Sequence, residues 1–66
     1  MFEFKARDLA SGDRFTFDDG TTWWEVVRTG PSTRQDAHLK FVRVEATNGL
    51  ETTSWDMPAQ AKVVVA

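Results

Sequence analysis

Short runs in which hydrophobic and polar residues alternate, separated by turn-forming residues, extend along the whole chain. The runs are rich in β-branched and aromatic residues, which pack well on a pleated sheet. Nowhere do apolar residues recur at helical spacing over a dozen positions without an intervening Gly or Pro. The pattern therefore predicts an all-β protein with five strands, at residues 15–17, 23–28, 39–46, 50–55 and 62–65.

Turn-forming residues predict how these strands connect. The pairs Asp19-Gly20 and Asn48-Gly49 tolerate the positive φ of tight primed turns, so we expect a tight hairpin at each. Proline presets φ for a helical turn and cannot donate a ladder hydrogen bond, so residues 57–60 predict one short 3₁₀ turn before the last strand. The last strand is expected to pair with an earlier one, and residues 2–4 are a candidate partner.

Alternation also assigns side chains to the two faces of each strand, because successive residues point to opposite faces. One face is expected to line a small barrel, with the following interior residues: Leu9, Phe15, Phe17, Trp24, Val26, Val42, Val44, Ala46, Leu50 and Val64. The opposite face then carries Arg14, Thr16, Trp23, Glu25, Phe41 and Arg43. Trp55 is expected to close the core.

Composition limits the class of protein. A chain of 66 residues has room for one compact core, so residues 1–66 are predicted to form a single domain. Three Trp and five Phe supply apolar material, and the absence of cysteine excludes disulfides and fits a reducing compartment. Neither a secretory signal nor an apolar run of roughly 20 residues is found, so we expect a soluble cytoplasmic protein without a membrane partner.

Residues with catalytic chemistry are sparse. His38 is the single histidine, too few for a metal site or for the usual catalytic triads. Asp18 and Asp19 precede a glycine and fit an Asx-type turn better than paired acid-base catalysis. The four glycines are too dispersed for a phosphate-binding loop. We therefore expect no enzyme activity, no cofactor, no metal and no small-molecule substrate.

Several segments resemble a known domain. The sequence GDRFTF, the turn at Asp19-Gly20, then WEVV and FVRV followed by Asn48 and Leu50, is similar to the N-terminal KOW/SH3-like domain of the bacterial elongation factor P family. The resemblance covers nearly the whole chain and implies a five-stranded SH3-like barrel. In that family the long loop after the second strand presents a lysine, often modified, to the ribosome. Residues 29–38 contain no lysine, so the resemblance implies the fold and not the family's reaction.

The outward aromatic and cationic residues indicate a binding role. Exposed Trp and Arg are enriched in interface hot spots, and the loop at 29–38 is the longest in the chain. We therefore predict a small protein-binding adaptor or regulator of bacterial or phage origin, with these partner-binding residues: Arg14, Trp23, Arg34, Lys40, Phe41 and Arg43. The alternative is an RNA or single-stranded nucleic-acid module, in which aromatic rings stack on bases and cations meet phosphates. The net charge of −2, with both signs interspersed, makes this alternative less favoured.

Overall fold

The computed structural model describes residues 2–34, 36 and 38–66. Within these residues it contains six β-strands in one antiparallel sheet, so the all-β prediction is confirmed. The strands are β1 (Phe2–Lys5), β2 (Arg14–Thr16), β3 (Trp24–Pro31), β4 (Phe41–Thr47), β5 (Thr52–Pro58) and β6 (Lys62–Val65). A 3₁₀ turn, Ala6–Asp8, follows β1.

The strands lie in the order β1-β6-β2-β3-β4-β5 across the sheet. Strands β2 to β5 form a meander, and β6 returns to pair with β2 on one side and with β1 on the other. Phe4 lies opposite Val63, so the expected pairing of the opening segment with the last strand is confirmed. Among the described residues β1 and β5 each have one partner strand, which leaves the sheet open. The prediction of a closed, five-stranded barrel is therefore wrong in both closure and strand number.

Strand β1 is the strand that the prediction did not include. Its pairing with β6 explains why it forms. Strand β6 lies inside the sheet, so backbone groups on both of its edges need hydrogen-bond partners. Strand β2 pairs with one edge along Phe15 and Thr16, with a further bond from the Ala66 N–H to the Arg14 carbonyl (2.9 Å), and the four residues of β1 pair with the other edge. The sequence of β1, FEFK, alternates apolar and charged residues over four positions, and the prediction used it as a pairing candidate without counting it as a strand.

The connections between strands differ from the predicted ones in two places. Residues 17–23 join β2 to β3, so this connection is longer than the tight hairpin that was expected. Residues 48–51 join β4 to β5 in a tight turn, in which the Asn48 N–H donates to the Glu51 carbonyl (3.2 Å), so the second hairpin is confirmed. The positive φ values are nevertheless found, at Asp19 (58°), Gly20 (94°) and Gly49 (93°). Strand β5 extends through Pro58, which leaves room for a single turn in which the Ala61 N–H donates to the Pro58 carbonyl (2.9 Å). The 3₁₀ turn thus lies after β1, not before the last strand.

The core confirms most of the predicted interior positions. The buried apolar residues are Ala6, Leu9, Phe15, Val26, Val44, Ala46, Met57, Val63 and Val65. Four partly buried residues pack against them, namely Phe4, Trp24, Val42 and Trp55. The sequence therefore placed Leu9, the apolar residues of β3 and β4, and the core-closing Trp55 on the correct side of the sheet.

Three residues predicted to lie inside are exposed or only partly buried. Phe17 follows the end of β2, and its ring meets those of Phe15 and Trp55 at the edge of the core but is 55% exposed. Leu50 lies in the β4–β5 turn, held by hydrogen bonds from its own N–H and that of Glu51 to Asn48 Oδ1 (2.8 and 2.9 Å), and it is 95% exposed. Val64 is only partly buried, because the register of β6 turns Val63 and Val65 to the core instead.

A cluster of four aromatic rings, Phe15, Phe17, Trp24 and Trp55, closes the inner face of the sheet. Phe15 in β2 meets Trp55 in β5 edge to face, with ring centroids 5.9 Å apart. In a flat sheet two strands three positions apart are separated by about 14 Å. The contact therefore requires the sheet to curl, and Val27, the extra residue of a β-bulge between Val26 and Arg28, lies in the strand that must bend.

Thr16 was predicted to point outward, and it is buried (4% exposed) because the loop at 17–22 folds over it. Its hydroxyl donates to Asp18 Oδ1 (2.8 Å) and accepts from the N–H groups of Asp18 (3.2 Å) and Gly20 (3.0 Å). The Asp18 carboxylate accepts the N–H of Thr22 (2.8 Å), in keeping with the predicted turn role. This N–H, followed by the Thr16 hydroxyl, lowers the pKa of Asp18 below its ordinary value.

The Thr16 hydroxyl should stabilise the fold measurably. Thr16→Val keeps the shape of the side chain and removes the hydroxyl, so the free energy of unfolding should fall by about 1 to 2 kcal/mol. Chemical denaturation measures this loss, and Asp18→Asn, which keeps an acceptor for Thr22, should lose less at neutral pH. An unchanged midpoint for Thr16→Val would contradict this account.

The same carboxylate makes stability depend on pH. Because the pKa of Asp18 is lower in the folded chain, its contribution is present above the unfolded pKa of about 3.9 and is lost as the pH falls through the folded value. The stability difference between the wild type and Asp18→Asn should therefore shrink in acid.

Candidate functional site

The structure divides the six predicted partner-binding residues among three places. Trp23 and Arg14 lie together, Arg43 lies on the outer face of the sheet, and the other three, Arg34, Lys40 and Phe41, lie near the start of β4. Glu25, two residues after Trp23, pairs with Thr47 at the end of β4, whereas Phe41 begins that strand. Six residues of a strand span about 20 Å, so the expected patch joining Trp23 to Phe41 is not formed.

The Trp23 site is a shallow depression of about 310 Å³ at the turn end of the sheet. The Arg14 guanidinium carbon lies 5.9 Å from the centroid of the Trp23 ring. The same ring covers the loop at 17–22, since a Cβ added to Gly20 would lie 3.5 Å from Trp23 Nε1. Trp23 is only partly exposed, and its contacts are those of a residue that holds a loop in place.

Arg43 lies on an outer face where charges of both signs alternate. Its direct neighbour on β5 is Asp56, and Arg28 forms an ion pair with Glu45 (Nε to Oε1, 3.0 Å). The depression between these strands, about 400 Å³, contains Arg28, Arg43 and Glu45 together. Exposed ion pairs of this kind contribute only about 0 to 1 kcal/mol. This face is therefore a solvated, charge-balanced surface.

The third place is a groove of about 540 Å³, larger than the two depressions above, which we call the end groove. It is lined by Arg7, His38, Leu39, Lys40, Phe41, Val42, Pro58, Ala59 and Gln60. Arg34 lies beside it, with its guanidinium carbon 4.5 Å from the centroid of the Phe41 ring. Three of the six predicted residues thus meet here.

Backbone hydrogen bonds tie the walls of the end groove together. The Ala59 N–H donates to the Lys40 carbonyl (2.7 Å), and the Arg7 N–H donates to the Ala59 carbonyl (3.1 Å). These bonds join the 3₁₀ turn, the turn after β5 and the segment leading into β4. Because the walls are fixed by backbone contacts, the groove is preformed.

The floor of the end groove is apolar and its rim is cationic. Leu39 is 51% exposed, and Phe41, Val42 and Pro58 are partly exposed. Among the described residues that line it, none is acidic. Two carboxylates lie close to the rim, since Asp8 lies 3.9 Å from Arg7 Nε and Asp36 accepts the His38 N–H (2.8 Å). With Arg34 and Lys40 added, the rim keeps a small excess of positive charge. The groove can therefore take an apolar group that carries negative charge beside it.

Sequence reasoning missed Arg7, Leu39 and Pro58 as members of this site. Their proximity depends on the 3₁₀ turn docking against the end of β5, a contact between residues far apart in the chain. No local pattern in the sequence indicates this contact. Within residues 2–34, 36 and 38–66, no cluster of three His, Cys, Asp or Glu side chains could hold a metal ion. In that part of the chain there is also no helix with the length and apolarity needed to cross a membrane.

The packing of Trp23 leads to a stability prediction. Trp23→Ala should cost about 1 kcal/mol and lower the melting temperature by about 4 to 8 °C, because the ring covers the 17–22 loop. Arg14→Ala, an exposed change beside it, should cost less than about 0.5 kcal/mol. Thermal unfolding followed by circular dichroism measures both. A melting temperature unchanged by Trp23→Ala would show that Trp23 is a free surface residue.

Comparison of the chain with protein-family models, with curated proteins and with solved structures gave no match. The resemblance to the elongation factor P domain therefore stays a prediction. The function has to be inferred from the geometry and charge of the end groove.

Proposed function

We propose that this chain is a protein-binding module that holds an acidic peptide segment of its partner, anchored by an apolar side chain, in the end groove. The observation that carries the proposal is the apolar floor around Leu39 and Phe41, rimmed by Arg7, Arg34 and Lys40. This cationic rim lies on a chain whose net charge is −2.

The floor supplies the attraction. A leucine or phenylalanine side chain of the partner, buried against Leu39 and Pro58, would contribute roughly 2 kcal/mol. The walls are preformed by the hydrogen bonds of Ala59, so little ordering is needed on binding. Arg34 and Phe41 are of the residue types enriched at the centres of interfaces.

The rim supplies selectivity. Arg34 and Lys40 are exposed, so carboxylates of a partner can approach them from solvent. Charges at a rim mainly speed the encounter and reject like-charged partners, and they add less to affinity. A neutral or basic peptide would therefore bind more weakly than an acidic one with the same apolar anchor.

Nucleic acid is the less favoured ligand. Base stacking needs free aromatic faces, and in this chain a guanidinium lies over Phe41 at 4.5 Å and another over Trp23 at 5.9 Å. The two rings lie at opposite ends of β4, too far apart for adjacent bases.

At the level of topology, the meander of β2 to β5 with β6 beside β2 supports kinship with SH3-like domains, with β1 added at the edge. Bacterial or phage origin and a cytoplasmic location stay predictions. Neither the proposed ligand nor the groove depends on them.

A peptide titration tests the proposed ligand. The probe is a short peptide with a leucine flanked by glutamates and aspartates, added to ¹⁵N-labelled protein. The amide signals of Lys40, Phe41 and Ala59 should shift, and those of Trp23 and Asn48 should not. Lys40→Ala should weaken binding about threefold, the scale of one exposed charge pair. Arg43→Ala, which removes an exposed cation from β4 outside the end groove, should leave binding unchanged.

Two further ligands act as controls for this titration. The same peptide with lysines in place of its acidic residues should bind more weakly. Single-stranded oligouridine should not bind either, and oligouridine binding that weakens steeply with salt would replace the proposed function with nucleic-acid binding. Shifts centred on Trp23 would place the site at the other end of the sheet.

A further inference from the structure

We propose that two copies of this chain pair through the free edge of β1, forming one continuous antiparallel sheet. The inference rests on the backbone and charges of β1 and is independent of the end groove. It identifies the partner as a second copy of the chain because the edge is complementary to itself.

The backbone register shows which groups of β1 are free. Phe2 and Phe4 lie opposite Val65 and Val63, and the Ala6 N–H continues this ladder by donating to the Ala61 carbonyl (2.7 Å). In an antiparallel pair, alternate residues exchange both backbone hydrogen bonds with the partner strand. Phe2, Phe4 and Ala6 therefore point their backbone groups at β6. The N–H and C=O groups of Glu3 and Lys5 point the other way, to the open edge.

The side chains at these positions select one register for self-pairing. The free groups of two antiparallel copies can meet with Glu3 facing Glu3, Lys5 facing Lys5, or Glu3 facing Lys5. The first two registers place like charges directly opposite, which is destabilising. The third forms two Glu–Lys pairs, related by a twofold axis at Phe4, and each pair exchanges two backbone hydrogen bonds. The register with the best charge pairing thus uses both sets of free groups.

Lys5 also lacks a favourable partner within its own sheet. It lies directly opposite Lys62 of β6, and Lys62 Nζ in turn lies 3.7 Å from Glu3 Oε1. The ion pairs of the described residues do not include Lys5. A second copy would place its Glu3 opposite Lys5 and offset the repulsion between the two lysines.

An exposed aromatic ring at the same edge would be covered by this pairing. Phe2 is 66% exposed and belongs to the face of β1 that packs on the core through Phe4. In the Glu3–Lys5 register Phe2 lies opposite Ala6 of the second copy, where the 3₁₀ turn begins. The apolar face of one sheet would therefore continue onto the other.

The opposite edge of the sheet is less suited to self-pairing. Along β5 the Ala59 N–H donates to Lys40, so the free backbone groups belong to Thr52, Ser54, Asp56 and Pro58. Proline has no N–H to donate, and the Asp56 carboxylate accepts the hydroxyl of Ser32 (2.7 Å). Proline at an edge is a common guard against strand addition.

Sedimentation velocity over a concentration series tests the pairing. Because four residues per strand form a small interface, the wild type should shift gradually from monomer to dimer as concentration rises. Glu3→Pro removes an outward N–H and the exposed ion pair with Lys62 but no hydrogen bond to β6, so it should keep the fold and abolish the dimer. Circular dichroism confirms that each variant is folded. A wild type that stays monomeric at the highest concentrations, or a dimer that survives Glu3→Pro, would overturn the proposal.

Charge reversal provides the matched test. Glu3→Lys and Lys5→Glu should each weaken the dimer, because residue 3 of one copy and residue 5 of the other then carry the same charge. The double change Glu3→Lys with Lys5→Glu should restore it, and mixing the two single variants should give a heterodimer. Amide hydrogen exchange at high concentration should protect Glu3 and Lys5. Protection of Ser54 instead would assign the contact to β5 and contradict the proposal.

Discussion

Phe15 in β2 and Trp55 in β5 bring their rings within 5.9 Å, although two strands of the sheet lie between them. The structure has no layer of helices over this sheet among its described residues, so the sheet has to cover its own apolar face. The contact holds the curl that makes this coverage possible, and Val26 and Val44 are buried as a result. In a chain of 66 residues without disulfides, the core depends on this one closure.

The curl also determines where the surfaces available for binding lie. It brings the 3₁₀ turn after β1 against the end of β5, where Arg7 bonds to Ala59 and forms a wall of the end groove. It leaves β1 at the rim of the sheet, with β6 as its one partner strand among the described residues. The proposed peptide site and the proposed dimer edge thus lie on different elements and can operate independently.

Burial within a strand depends on local alternation, and the sequence predicts it. Contacts between residues far apart in the chain do not depend on local alternation, and the sequence does not predict them. Val44 and Ala46 alternate within a regular strand, Val26 lies just before the β-bulge of β3, and each is buried as expected. Val64 is the middle of three valines, where alternation cannot choose a face, and Phe17 and Leu50 lie just outside strands. Alternation assigned Trp23 and Phe41 to one face of the sheet. It gave no information on how far apart the two residues lie along the strands, which is about the length of β4. Arg7 reaches the site through a contact that no local pattern contains.

A double-mutant cycle between Phe15 and Trp55 tests the closure of the sheet most directly. Phe15→Leu, Trp55→Leu and the double variant keep apolar side chains while removing the edge-to-face contact, and chemical denaturation gives their free energies of unfolding. The account predicts a coupling energy of about 1 kcal/mol between the two positions, the scale of a buried aromatic pair. Losses of stability that simply add, with no coupling, would contradict the claim that this contact holds the curled sheet.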